Sequence, residues 1–289
     1  MIIVNDYIDD IFNDFKEYLD NQKKLCELKE EAYFYGNHIP NYDKLCVQQL
    51  YLLRYAYAYI YEYMEMYSYM FNYFYQNKVN YNGWRILSVG VGAGLDLYSL
   101  DLCNNFIYNN INYTGVDVID WNYRPKNIPK VSFCFYNLDL EYFVNDDNNE
   151  IYSKIIFFPK SIGEITEDTL KLLPTKIKSD EIYLMISFAF DKDRSKLKTL
   201  LESFEDNGFI YTILSNREKT DRENKVELHN KYKIDAYPQD IKNFIYRLND
   251  CCNEVFICSD IADCNNKLSR YPTETDINFN YIIIEIQRM

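Results

Sequence analysis

The chain has 289 residues and a formal net charge of −13, and 48% of its residues are hydrophobic. This length and composition suit a globular protein with one substantial α/β domain, or with two small domains. The excess of acidic residues repels phosphate backbones and anionic membranes. A small-molecule or protein substrate is therefore favoured over a nucleic acid.

The N-terminal segment lacks the basic stretch and apolar run that are typical of a signal peptide. We therefore expect a cytoplasmic protein with reduced thiols. Four cysteines crowd together near the C-terminus, but they form no Cys-x-x-Cys pair and no histidine completes a zinc set. No metal site is predicted at these positions, which are Cys251, Cys252, Cys258 and Cys264.

Residues 1–80 are predicted to form a helical cap. Apolar residues recur at three- and four-residue steps from Asp6 to Ala32, and the tyrosine-rich segment from Tyr42 to Gln76 is too long for a strand. Polar residues interrupt the second segment before about eighteen apolar residues accumulate, so no membrane span is predicted. Its Arg54 and Tyr55 are candidate substrate contacts, although a tyrosine stripe more often packs on a sheet.

From residue 81 onward, short apolar runs alternate with helical segments, which predicts a parallel sheet covered on both faces. The predicted strands are Trp84–Val89, Tyr113–Val118, Val131–Tyr136, Lys154–Phe158, Glu181–Phe190, Phe209–Leu214 and Asn280–Ile286. The predicted helices are Leu95–Phe106, Ser161–Leu173, Arg194–Asp206 and Gln239–Leu248. A loop is expected between the second and third strands, and a charged insertion is expected at about residues 216–279.

A glycine loop, Gly90-Val91-Gly92-Ala93-Gly94, follows the first predicted strand directly. Glycines at these positions allow a sharp turn and the close approach of a ligand, and the next helix points its N-terminal amides at the same space. The spacing differs from the Gly-x-Gly-x-x-Gly of nicotinamide binders, because Leu95 occupies the place of the third glycine. Asp117, at the end of the next strand, is placed to accept hydrogen bonds from ribose hydroxyls.

The segment Ile86–Gly94, followed by Val116-Asp117, resembles the class I S-adenosylmethionine-dependent methyltransferases. The resemblance covers residues 84–190 and the closing strand. It implies an α/β fold with a Rossmann-like seven-stranded mixed sheet, whose last strand is antiparallel, preceded here by an N-terminal helical extension. It also implies a methyltransferase that uses S-adenosylmethionine as its cofactor.

By this resemblance the cofactor would be bound by the glycine loop and by polar residues at the ends of the strands. The implied residues are Gly90, Gly92, Gly94, Asp117, Val118 beside the adenine, and Asp139 after the third strand. The family usually carries an acidic residue where this chain has Ser88. Asp96, at the start of the following helix, is the candidate to supply that charge.

The segment after the fourth strand lies where this family usually places catalytic and substrate-contacting residues. Lys160, Ser161 and Glu164 are the candidate catalytic residues, and Pro159 is a candidate substrate contact. Because histidine is scarce, a general base would be a carboxylate or a tyrosine, with His38 in an N-terminal turn as a further candidate. The structural alternative is that Ser161 and Glu164 form a capping box that starts a helix.

Three alternatives to a methyltransferase stay open. The loop could bind a nicotinamide or another nucleotide, or it could simply join a strand to a helix. The chain could also be a catalytically degenerate nucleotide-binding or interaction module of the same fold, which Ser88 favours. The intact glycines and Asp117 favour the methyltransferase, whereas the acceptor and the oligomeric state are not predicted.

Overall fold

A computed structural model describes residues 4–22, 40–80, 82–103, 110–129, 131–146, 150–219, 225–248 and 271–289. The helices are α1 (Val4–Gln22), α2 (Leu45–Gln76), α3 (Leu95–Cys103), α4 (Leu140–Asn145), α5 (Glu167–Lys176), α6 (Arg194–Asp206), α7 (Leu228–Tyr232) and α8 (Gln239–Arg247). The strands are β1 (Arg85–Val89), β2 (Ile111–Asp117), β3 (Val131–Asn137), β4 (Ile155–Pro159), β5 (Glu181–Ser187), β6 (Phe209–Arg217) and β7 (Tyr281–Arg288). His38 and the four crowded cysteines lie outside the described residues.

The strands form one mixed sheet in the order β3-β2-β1-β4-β5-β7-β6. The pairs from β3 across to β5 are parallel, whereas β7 is antiparallel to both β5 and β6. The predicted Rossmann-like sheet with an antiparallel last strand is therefore confirmed. Since the carboxyl ends of parallel strands meet at one edge of a sheet, the segments that follow β1, β2 and β4 are neighbours.

The core lies on both faces of the central strands. Leu87 and Val89 of β1 join the apolar residues of α5 and α6 on one face. On the other face, the ring of Phe157 in β4 meets Tyr63 and Tyr67 of α2 edge-on, at centroid distances of 5.2 and 5.6 Å. These two tyrosines therefore pack on the sheet, as a stripe at helical spacing more often does.

Contacts divide the chain into two compact units. The first contains Met1–Tyr61, Trp121–Tyr123 and Lys225–Asp276, and the second contains the remaining residues, including the whole sheet. The first unit thus groups most of the N-terminal segment with most of the predicted insertion. The expected boundary between residues 80 and 81 stays a prediction.

Within the first unit, side chains of α2 hold the segment that comes before β7. The Tyr57 hydroxyl donates to the carbonyl oxygen of Asp235 at 2.6 Å. The Tyr61 ring stacks on Tyr232 at a centroid distance of 5.1 Å. Among the described residues, no helix has both the length and the apolar character needed to cross a membrane.

The segment after β4 differs from the prediction. The Ser161 hydroxyl donates to the carbonyl oxygen of Val89, and Ile162–Glu164 form a single 3-10 turn without a side-chain cap. Helix α5 begins at Glu167, and Thr166 is its N-cap. The predicted capping box is wrong because the Ser161 side chain is directed to the Val89 carbonyl oxygen of β1, and the Glu164 N–H donates to the Ser161 backbone carbonyl oxygen instead.

The connections around β3 agree with the prediction in one respect and differ in another. The described residues between β2 and β3 contain no helix, as expected. A short helix that was not predicted, α4, follows β3. Strand β5 also ends at Ser187, three residues before its predicted end.

The Thr166 cap predicts a measurable loss of stability in Thr166→Ala. The Thr166 hydroxyl oxygen accepts from the backbone N–H of Thr169 at 3.2 Å, and removing an N-cap costs about 1 kcal/mol. Thr175→Ala, at an exposed position of the same helix, is the matched control and should change the free energy of unfolding by less than about 0.5 kcal/mol. Urea denaturation measures both values, and equal values for the two variants would contradict the assignment.

Candidate cofactor site

The turn from β1 into α3 depends on left-handed backbone at its three glycines. The φ angles are 65° at Gly90, 57° at Gly92 and 73° at Gly94, a conformation that side chains disfavour. A Cβ atom on Gly90 would overlap the Ser161 side chain, and one on Gly94 would lie 2.9 Å from the Cδ atom of Pro125. The loop is therefore packed tightly against its neighbours, and glycine is required for close approach as well as for backbone conformation.

Asp117 lies at the end of β2 and contacts the loop directly. Its Oδ2 accepts from the backbone N–H of Gly92 at 2.7 Å, and its Oδ1 accepts from that of Ile119 at 2.8 Å. Each carboxylate oxygen can accept two hydrogen bonds, so these contacts orient the group and are compatible with further donors. The next side chain, Val118, is 59% exposed.

Arg124, which the sequence analysis did not single out, joins three segments around this loop. Its Nε donates to the Gly92 carbonyl oxygen at 3.0 Å, and its Nη2 donates to that of Ile119 at 2.9 Å. Its Nη1 donates to Oδ1 of Asn137 at 2.6 Å. One guanidinium therefore fastens together the ends of β1, β2 and β3.

The surroundings of Arg124 are partly apolar. Its guanidinium lies over the ring of Phe135, 4.8 Å from the centroid. Burial lowers the pKa of Arg124, while the charges of Asp117 and Asp120 act in the opposite direction. A lone arginine in a loop carries no spacing signal, which is why the sequence pattern did not indicate it.

Ser88 and Asp96, both expected near the cofactor, are fully buried. The Tyr113 hydroxyl lies 2.8 and 3.0 Å from the two carboxylate oxygens of Asp96. Burial raises the pKa of Asp96 to about 6, and the hydroxyls of Ser88 and Tyr113 act against this rise. Asp96 thus belongs to the packing between α3 and β2, and its role toward a cofactor stays a prediction.

Lys160 is held in a buried ion pair. Its Nζ lies 2.7 Å from Oε2 of Glu62 in α2, and the two side chains are 8% and 1% exposed, respectively. Burial lowers the pKa of Lys160, and the Glu62 carboxylate raises it. Pro159, which precedes Lys160, is buried beside Ser187 of β5. The catalytic role expected of Lys160 and the substrate contact expected of Pro159 stay predictions.

Glu164 closes the 3-10 turn after β4 and is exposed. Partial desolvation raises the pKa of Glu164, and the charges of Asp117 and Asp193 raise it further. Three carboxyl groups therefore interact at the carboxyl edge of the sheet. This arrangement would attract a cation.

The remaining candidate site residues are Asp139, Arg54 and Tyr55. Asp139 is exposed and caps α4, accepting from the backbone N–H of Glu141 at 2.8 Å. Arg54 and Tyr55 belong to the first unit, where burial lowers the pKa of Arg54 to about 10. Their roles stay predictions. Within the described ranges, no group of three or more His, Cys, Asp or Glu residues is arranged to hold a metal ion.

Comparison with known proteins shows resemblance at the level of structure alone. No protein-family model matches the chain, and no curated protein matches it. The plantazolicin methyltransferase BpumL, solved with a monoazolic desmethylPZN analog and SAH, is 13% identical with a TM-score of 0.46, over 93% of this chain and 99% of that one.

Two further solved structures are similar over 72% of this chain. A SAM-dependent methyltransferase from Archaeoglobus fulgidus is 15% identical, with a TM-score of 0.34 over 86% of its own length. A precorrin-6y C5,15-methyltransferase from Geobacter metallireducens GS-15 is 11% identical, with a TM-score of 0.33 over 82% of its own length. Since all three TM-scores are below 0.5, the fold assignment depends on the strand order of this chain itself.

Because Asp96 is buried, we expect the stability of the protein to depend on pH in the range where this carboxyl group titrates. Its native pKa of about 6 lies above its ordinary value of 3.8, so the native state binds more protons than the unfolded state between these values. The contribution of this group to stability therefore falls as the pH rises from about 4 to about 6, by at most about 3 kcal/mol. Asp96→Asn, which can still accept from Tyr113, should remove this part of the slope.

Urea denaturation at several pH values measures this effect. Asp101→Asn is the matched control, because Asp101 lies in the same helix and is also buried. We expect this control to keep the part of the slope that Asp96 contributes, because Asp96 is unchanged in it. If the free energy of unfolding changes with pH equally in Asp96→Asn and in the wild type, the raised pKa of Asp96 is contradicted.

Proposed function

We propose that the chain is an S-adenosylmethionine-dependent methyltransferase that acts on a small-molecule or protein acceptor. The observation that carries this proposal is the meeting of the glycine loop with Asp117 at the carboxyl edge of the sheet, where Gly92 donates to the Asp117 carboxylate at 2.7 Å. Ligands of open α/β sheets bind in this position. The sequence resemblance described above agrees with it.

The chemistry of the site residues fits this cofactor. The Asp117 carboxylate would accept from the ribose hydroxyls, and the exposed Val118 side chain would cover one side of the adenine. Asp139 is the candidate polar contact for the adenine. The negative charge of Asp117, Glu164 and Asp193 would attract a sulfonium cation. Gly90 and Gly94 would act indirectly, because their lack of a Cβ lets Ser161 and Pro125 pack against the loop.

The residues of this chain would act mainly by orienting the reactants. When bound, S-adenosylmethionine supplies an electrophilic methyl group, and alignment with the acceptor provides much of the acceleration in an in-line displacement. Glu164 would accept the proton that the acceptor loses, since its carboxyl group is exposed and its pKa is raised above the ordinary value of a glutamate. The Ser161 hydroxyl, which donates to the Val89 carbonyl oxygen, would hold the loop after β4 in place.

A binding module that has lost the chemistry is the second candidate. Two observations favour it: Ser88 replaces the usual acidic residue, and the Lys160 ammonium is engaged with Glu62. In this case the fold would bind a nucleotide, or recruit a protein partner, without transferring a methyl group.

Isothermal titration calorimetry with three ligands tests the proposal. We expect the purified chain to bind both S-adenosylmethionine and S-adenosylhomocysteine, and to give no heat with NADH. Binding of NADH without either adenosyl ligand would contradict the cofactor assignment. If none of the three ligands binds, the result would favour the second candidate, a module that recruits a protein partner.

The ribose contact predicts a specific loss in Asp117→Asn. This variant keeps the shape of the side chain but removes the charge and one acceptor oxygen, so S-adenosylhomocysteine affinity should fall by about 10- to 100-fold. Asp120→Asn is the matched control, because Asp120 lies three residues further on and its side chain is 83% exposed. Its affinity should change by less than about threefold. Equal affinities for the two variants would show that the ribose contact is misplaced.

A further inference from the structure

Glu62 of α2 joins three elements of the sheet through one carboxylate. Its Oε2 lies 2.7 Å from Nζ of Lys160, at the end of β4. Its Oε1 accepts from the Ser187 hydroxyl of β5 at 2.9 Å and from the backbone N–H of Asn280, just before β7, at 3.1 Å. Since the Glu62 side chain is 1% exposed, these contacts are shielded from water and depend on one another.

Lys160 has a backbone conformation that a non-glycine residue adopts at a cost. Its φ is 63°, a strained conformation for a residue with a side chain, which persists only when the surroundings enforce it. Lys78 and Lys233 also have positive φ, but both follow helices, where this conformation is common. Lys160 instead follows a strand.

The contacts that enforce this conformation come from the Lys160 backbone and side chain. The backbone N–H donates to the Ser187 carbonyl oxygen at 3.0 Å. The Nζ donates to the Phe188 carbonyl oxygen at 3.1 Å and to Oε1 of Glu62 at 2.9 Å. Glu62 supplies the only one of these partners that carries a negative charge.

The conformation of Lys160 determines where the next residues lie. Ser161 directly follows it, donates to the Val89 carbonyl oxygen and fills the space that a Cβ on Gly90 would need. The 3-10 turn then brings Glu164 within electrostatic range of Asp117. The fit of the loop after β4 against the glycine loop therefore depends on the turn made at Lys160.

We propose that Glu62 is a positioning residue for the cofactor site. Its ion pair with Lys160 keeps residues 160–164 in the conformation that seats Ser161 against Gly90, and thereby maintains the affinity for the cofactor. The statement about affinity rests on the proposed function, whereas the statement about loop conformation does not. Glu62 acts through Lys160 and does not itself touch a ligand.

Two glutamates on α2 provide a matched test. Glu65→Gln is the control. Like Glu62, Glu65 pairs with a basic side chain, Arg217, and accepts from a hydroxyl group, that of Tyr281. Neither of these two partners lies in residues 160–164. Glu62→Gln should lower S-adenosylhomocysteine affinity by about tenfold or more, since it removes the carboxylate charge that pairs with the buried Lys160 ammonium. Glu65→Gln should lower it by less than about twofold, because its pair is more exposed.

Hydrogen exchange of the unliganded chain gives a readout that does not depend on binding. We expect faster exchange of the amides at residues 160–164 in Glu62→Gln than in the wild type, and no such change in Glu65→Gln. If the wild type fails to bind S-adenosylhomocysteine, the proposed function fails, and the exchange comparison still decides whether Glu62 positions the loop. Equal exchange in both variants would overturn the inference.

A second substitution distinguishes positioning from general destabilisation. Glu62→Gln combined with Lys160→Gly removes both charges of the pair and places glycine, which adopts φ 63° without strain, at residue 160. Its affinity should return to within about threefold of the wild type. A double variant as weak as Glu62→Gln would contradict the inference. If Glu62→Gln does not fold, Lys160→Met replaces it in both measurements, with the same expected losses.

Discussion

The turn from β1 into α3 can be made only with left-handed backbone at Gly90, Gly92 and Gly94. This constraint brings the backbone of Gly90 against Ser161 and the amide of Gly92 against Asp117. The carboxyl ends of β1, β2 and β4 are thereby held together at one edge. Every residue that we propose for the cofactor pocket takes its position from this turn or from a strand beside it.

Charged side chains hold this edge by forming hydrogen bonds with backbone groups of the loops that follow the strands. Arg124 donates to the carbonyl oxygens of Gly92 and Ile119, and Asp117 accepts from the amides of the same two residues. Glu62 acts similarly beside β4 and β7, where it pairs with Lys160 and accepts from the backbone N–H of Asn280. Such contacts satisfy loop backbone groups that have no strand partner, and they orient the loops before a ligand arrives.

The sheet could be predicted because its buried strands are short apolar runs in the sequence. Helical segments separate these runs, and this alternation is typical of a parallel sheet. The loop and Asp117 could be predicted because their spacing has a direct physical meaning. The capping box at Ser161 and Glu164 could not be judged from sequence, because the Ser161 hydroxyl donates to the Val89 carbonyl oxygen of another strand. The pair between Glu62 and Lys160 joins segments far apart in the chain, and the contacts of Arg124 join the ends of three strands. Neither leaves a periodic pattern in the sequence.

The central claim is that S-adenosylmethionine or its product binds over the glycine loop. The chain contains eight glycines, so selective labelling with ¹⁵N-glycine gives a simple amide spectrum in which the loop is reported directly. On addition of S-adenosylhomocysteine, we predict that the amide signals of Gly90, Gly92 and Gly94 shift, while those of Gly83 and Gly208 stay in place. Binding that shifts Gly83 or Gly208 and leaves the loop signals unchanged would contradict the account.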